Sequence, residues 1–147
     1  MDQYDDPQPM NDEDTSKGGY EKSDLRKRIN SQKSLMDFPI EIWRRMIPFK
    51  NGDLIRIPTV SEIFGSEKCD DWCENDNMEL IPSMRLRKNR IAYRNSDDRN
   101  AQGWLQNAIL DSSCLFATVD SLGHPNIERA SQIYSTRRVF MLANHVD

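Results

Sequence analysis

Apolar side chains are spaced unevenly along this chain. Up to Lys33 they are sparse, and Pro7, Pro9 and Gly18-Gly19 punctuate a run rich in Asp2, Asp5, Asp6, Asp12, Glu13 and Asp14. Such a stretch buries too little to offset the roughly 1–2 kcal/mol of backbone entropy lost per ordered residue. A disordered acidic tail is therefore expected over residues 1–33. From Phe38 onward the pattern changes. Phe38, Ile42 and Met46 recur at helical spacing, Trp43 and Ile47 widen the stripe, and Arg44 and Arg45 fall opposite it. Asp37 can cap, Pro39 suits a first helical turn, and Pro48 ends the run. Asn51-Gly52 reads as a turn. Asp53 then caps a second short helix through Leu54, Ile55 and Ile57, stopped by Pro58. A third opens at Val60, runs to Phe64 and closes at Gly65.

Residues 66–79 are polar and acidic around Trp72. The basic run from Met84 to Arg94 reads as a charged edge strand or a short basic helix. Ser96, Asp97 and Asp98 make a helix start, with carboxylates where the macrodipole favours them. Ala101, Trp104, Leu105, Ala108 and Ile109 then fall on one helical face. Leu115 to Val119 reads as a strand, Asp120 to Pro125 as a turn, and Ile127 to Tyr134 as a second strand. Val139 to Ala143 is a continuous apolar run, as in a strand buried on both faces. The expected class is α+β: the acidic tail, a helical segment over 34–73, and a domain over 80–147 in which a helix packs on a small antiparallel meander.

Composition limits the function. Hydrophobic residues are 37% and charged residues 30% of the 147, and mean hydropathy is -0.79. The net charge of -4 gives no overall demand for nucleic acid or an anionic membrane. No run approaches the roughly 18 apolar residues of a membrane span. The cysteines, Cys69, Cys73 and Cys114, are odd in number, and acidic residues stand where a signal peptide needs basic ones. A reducing compartment, cytoplasmic or nuclear, is expected, with Cys69 and Cys73 as thiols. No nucleophile motif, phosphate loop or acid–base pair stands out, so no catalytic residue, cofactor or metal is assigned. Cys69 and Cys73 with His124 and His145 offer zinc-type ligands without the tight second pair of a zinc finger.

Residues 35–72 resemble an F-box, the three-helix module that holds the Skp adaptor of cullin–RING ubiquitin ligases. The resemblance rests on Phe38-Pro39-Ile40-Glu41-Ile42-Trp43, the apolar pair Met46-Ile47, Asp53-Leu54, Val60-Ser61, Phe64 and Trp72. It implies a non-catalytic adaptor that links a target protein to the ligase. Phe38, Pro39, Ile42, Met46 and Leu54 would touch the Skp-type adaptor. Arg85, Arg87, Lys88, Arg90 and Arg94 are candidate contacts for the target, or for nucleic acid.

Three further resemblances point elsewhere. Trp104, Ala117-Thr118-Val119-Asp120, Gly123 and Pro125 are similar to the opening of the pyridoxamine-phosphate-oxidase-like split barrel, which implies an FMN site. In that family an Arg holds the phosphate where Glu128 stands here, with Arg129 one place on. Lys50 to Ile57 looks like the first strand of single-strand-binding OB-folds, an assignment that excludes the helical one. Tyr20 to Leu25 resembles the short helical motif that binds the cap-binding translation factor, although Arg26 replaces its final apolar residue.

Overall fold

The computed structural model describes residues 19–32, 38–69, 71–93, 100–112, 114–132, 134 and 136–143. In chain order, a 3-10 turn over Gly19–Lys22 leads into α1 (Asp24–Gln32), and α2 (Ile40–Trp43) is a single turn. β1 (Met46–Ile47), α3 (Val60–Phe64) and a 3-10 turn over Ser66–Lys68 follow. A 3-10 turn over Pro82–Arg85 precedes α4 (Arg87–Arg90), β2 (Ala92–Tyr93) and β3 (Asn100–Ala101). β4 (Gly103–Ala108), β5 (Leu115–Val119), β6 (Pro125–Arg129) and β7 (Met141–Leu142) complete the order. The class is α+β, with short helices and antiparallel strands.

The meander is present, with a different membership from the expected one. β4, β5 and β6 pair antiparallel in that order. Residues 101–109, expected as a helix, instead supply β3 and β4. Helical spacing puts Trp104 and Leu105 on one face, whereas a strand sends neighbours to opposite faces. Both faces of this strand are covered, so its burial is almost continuous and mimics a helical stripe. A register shift between Trp104 and Ala108 further disguises the alternation. Gly103 and Asn107 are also poor helix formers.

Each face of the meander carries its own apolar core. On one side Trp104, Ala108, Phe116 and Ala130 gather with Tyr20, Leu25, Ile29 and Ile57. On the other, Leu105, Ala117 and Val119 gather with Val60, Ile63, Cys69 and Cys73. α1 thus lies over one face and α3 over the other. This moves the start of order. Residues 1–18 of the expected tail lie outside the described residues, but 19–32 fold, and Leu25 and Ile29 are fully buried. Three apolar side chains suffice because the sheet offers them a complementary face. Burying each side chain of this size contributes about 1.5–3 kcal/mol.

α3 forms where the spacing predicts it. The Thr59 hydroxyl accepts from Glu62 N and the Glu62 carboxylate accepts from Thr59 N, a reciprocal capping box. The rest of the expected helical segment differs. α2 stops after Trp43, and Met46–Ile47 pairs antiparallel with Leu142–Met141. β7 therefore leaves the meander to make a separate two-stranded ribbon. It is exposed to half-buried, and is not covered on both faces. Residues 50–57 are neither a helix nor a regular strand. Phe49 N donates to Asp53 O at 2.8 Å, and Gly52 takes the left-handed φ of 92° that this tight turn needs. Only Leu54 to Ile57 then remain before Pro58, too few to nucleate a helix and ending at a residue that proline biases away from α. Arg56 instead exchanges backbone hydrogen bonds with Val139, at 3.0 and 2.7 Å.

Candidate functional site

The turn at residues 48–53 and the loop at residues 74–78 stand as opposite walls of an open cleft of about 760 Å³. β4 supplies its floor through Gln106 and Asn107, and Tyr20, Arg26 and Met141 also line it. Pro48, Phe49, Met78 and Met141 give it an apolar lip. Ile47 lies directly across from Met141 in the ribbon, so both side chains share one face, and each is 42% exposed.

Hydrogen bonds to one buried amide shape the floor. Asn107 Oδ1 accepts from Val60 N at 2.9 Å. Its Nδ2 donates to Glu74 O at 2.8 Å and to Asp76 Oδ2 at 2.7 Å. Asp76 Oδ2 also accepts from Ser61 N at 3.1 Å. The start of α3, β4 and the 74–78 wall are thus tied to one side chain. Ala108 N donates to Glu74 Oε1 at 3.0 Å and Glu74 N to Ala108 O at 2.9 Å, which hold the wall against the strand.

Cations hold the opposite wall. Arg56 makes a bidentate pair with Glu62, both contacts at 2.6 Å, with side chains 14% and 6% exposed. Its guanidinium also lies 4.5 Å from the Phe49 ring centroid. Arg26 bonds Asp53 Oδ2 at 2.6 Å, joining α1 to the turn. Glu74, Asp76 and Lys50 add charge around the opening. The chemistry on offer is that of a binding surface: amides that both donate and accept, an apolar lip, and charges of both signs.

The sequence-selected adaptor contacts lie mostly beside this cleft. Phe38 packs edge-on against Phe140 at 5.0 Å, with Arg138 4.8 Å from its ring centroid. Met46 is buried, Pro39 is exposed, and Ile42 and Leu54 are half-buried. They do not form one helical stripe, because α2 ends before Met46. The basic run is split between roles. Arg85, Arg87 and Lys88 are exposed. Arg90 Nε donates to Gly123 O at 2.9 Å and its Nη1 to Met84 O at 3.0 Å. Arg137, whose pKa burial lowers, donates to Asn89 O and Ile91 O and fixes the same segment from behind. Arg94 lies outside the described residues.

The other resemblances meet specific obstacles. Trp104 sits on a strand, not on the helix of the split-barrel pattern, although the strand-turn-strand from Ala117 to Pro125 is present. Glu128 is engaged by Gln102 Nε2 at 3.2 Å, and Arg129 is exposed. Tyr20 and Leu25 are buried in this chain's own core. Cys69 and Cys73 are joined as a disulfide, not the expected thiols. Among the described residues no cluster of three or more His, Cys, Asp or Glu could hold a metal ion, and His145 lies outside them. No helix there is long and apolar enough to cross a membrane. Sequence reading missed Asn107, Asp76 and Phe49, since no local pattern marks an amide that bonds residues 31 to 47 positions away. Compared with protein-family models, curated proteins and solved structures, the chain matches none.

Proposed function

We propose that this protein is a non-catalytic interaction adaptor whose cleft takes an extended segment of a partner protein. The observation that carries the reading is the pairing of an exposed apolar lip with a floor of amides. Met78 and Met141 line the opening at 37% and 42% exposure, and Ile47, 42% exposed, lies across from Met141 in the ribbon; a partner's apolar anchor gains by covering them. Methionine side chains adapt to anchors of differing shape. Gln106, Asn75 and Asn77 line the cleft. Gln106 Nε2 donates to Ile57 O at 2.7 Å and Asn75 Oδ1 accepts from Asn77 N at 3.0 Å. The Gln106 oxygen, the Asn75 amino group and the Asn77 amide suit the N–H and C=O groups of an extended peptide. Charges of both signs at the rim then select among sequences. The F-box resemblance makes a Skp-type adaptor the first named partner to test, through the neighbouring Phe38, Pro39 and Ile42.

The test is selection from a displayed peptide library on the purified full chain, with a parallel assay against a purified Skp-type adaptor. Selected peptides should lose at least about tenfold in affinity, roughly 1.4 kcal/mol, with the Phe49→Asp or Met141→Asp variant. Adaptor binding that is lost in Phe38→Asp supports the ligase assignment. Peptides that bind both cleft variants as well as the parent chain would refute the cleft as the docking site.

A further inference from the structure

The wall of the cleft at residues 74–78 is attached to the rest of the protein beside an unusual group. Cys69 and Cys73 are separated by four positions in sequence, their Cα atoms lie 5.5 Å apart, and they form a disulfide. Both are buried, at 3% and 2% exposure, in the core under α3. Their surroundings also suit the reduced state. Cys69 Sγ lies 3.0 Å from Glu74 O, and Cys73 Sγ lies 3.6 Å from Cys69 O. Each thiol would have an acceptor in place, so neither form leaves a buried donor without a partner.

The pair is coupled to the cleft through shared contacts. Asn107 Nδ2, which bonds Glu74 O and Asp76 Oδ2, also lies 3.4 Å from Cys69 Sγ. Cys73 bridges Ile109, Leu110 N donates to Trp72 O at 2.9 Å, and Glu74 N donates to Ala108 O at 2.9 Å. The cross-link therefore clamps the root of one wall to the end of the 3-10 turn Ser66–Lys68 that follows α3. Access does not require global unfolding. Glu67, Lys68 and Asp71 around the pair are exposed and belong to no strand, so this short loop can open locally while the meander stays paired.

We propose that Cys69 and Cys73 are a reversible redox site, exchanging with a small-molecule disulfide of the glutathione class, and that the bond sets the order of the 74–78 wall. In the first step one cysteine loses its proton and its thiolate attacks a sulfur of the small-molecule disulfide. That S–S bond breaks, a mixed disulfide forms, and one small thiolate leaves and takes up a proton. In the second step the other cysteine, as thiolate, attacks the protein sulfur of the mixed disulfide. The Cys69–Cys73 bond forms and the second small thiol departs. Two protein thiols are oxidised, one small disulfide is reduced to two thiols, and protons balance. The effect on peptide capture rests on the cleft reading; the bond chemistry does not.

The experiment uses the full chain carrying Cys114→Ser, which removes the remaining thiol. The protein is equilibrated across ratios of oxidised to reduced glutathione, and free thiols are trapped by alkylation and counted by mass spectrometry. Amide hydrogen exchange is read at both ends of the series. The expected result is one transition between doubly alkylated and unalkylated protein under native conditions. Reduction should speed exchange at Glu74 N and Leu110 N at least about tenfold, with β5–β6 amides unchanged. A pair that resists glutathione until the protein unfolds, or thiols that never join under oxidising ratios, overturns the proposal. So does a complete transition with no change in exchange at the wall. A chain that switches in this way yet selects no peptide would sink the cleft reading alone.

Discussion

Replacing Arg56 with methionine tests the bond that holds α3 to the cleft. The change deletes a bidentate ion pair whose partner, Glu62, is only 6% exposed. The carboxylate keeps its bond from Thr59 N at 3.0 Å but loses its counter-charge. Removing one partner of a buried pair costs about 3–5 kcal/mol, because the other charge stays buried and uncompensated. Arg56 also gives up its bond to Ile57 O and its place over Phe49, the latter worth about 0.5–1 kcal/mol. Its 14% exposure lets some water reach the site. A net loss of about 4 kcal/mol follows. Against a typical total of about 5–15 kcal/mol, that is a large fraction. At about 2–4 °C per kcal/mol for a chain of this size, the melting temperature should fall by about 8–16 °C. Urea denaturation followed by tryptophan fluorescence measures the change directly, since Trp104 is buried. The double variant Arg56→Met, Glu62→Met removes both charges. It forfeits the Glu62 half of the capping box, about 1 kcal/mol, and the same Arg56 contacts to Ile57 O and Phe49, but leaves no buried charge uncompensated, so it should be more stable than Arg56→Met alone. A single variant that loses less than about 1 kcal/mol, or a double variant that loses the sum of the two singles, would show that the pair does not act as a buried unit.

Other expectations are equally direct. Leu105→Ala, at a fully buried position on the α3 side of the sheet, should lose about 2–5 kcal/mol by the same urea assay. Gly123→Ala should destabilise by more than about 1 kcal/mol, because φ is +83° and the new Cβ would stand 3.0 Å from Arg87 O. Tyr134 titrates above its ordinary 10.0, mainly because burial disfavours its anion. Its neutral form is thus favoured by folding, a contribution fully present below the unfolded pKa and lost as pH rises through the folded one. Stability should therefore fall in alkaline solution above about pH 10, and Tyr134→Phe should flatten that fall; identical slopes for the two proteins would contradict the assignment.

Local patterns carried part of the architecture. Thr59, Glu62 and Gly65 define α3 by capping chemistry that lies within a few residues. Leu115–Val119 and the Asp120–Pro125 turn are legible for the same reason: Asp120 Oδ1 accepts from both Leu122 N and His124 N at 2.9 Å, a bonding pattern made by near neighbours. The failures are non-local. Trp104 and Leu105 read as helix because both faces of β4 are covered, and the cover comes from residues 20–29 and 57–73. Val139 to Ala143 read as a third meander strand because nothing nearby reveals its partner, Met46–Ile47. The cleft was illegible for that reason too. Its walls meet only after α1, the 48–53 turn and the 74–78 loop have been brought to β4. The Phe38–Met46 stripe was visible, but α2 ends after Trp43 and Met46 passes into the β1–β7 ribbon.

A practical constraint on working with this protein follows from α1. Trimming the chain to begin after Lys33, as the charge pattern invites, would strip the lid from Trp104 and Phe116 and leave a bare greasy surface in water. Shortened versions meant for crystallisation or spectroscopy should keep Gly19 onward, or they will clump for reasons unrelated to the rest of the sequence.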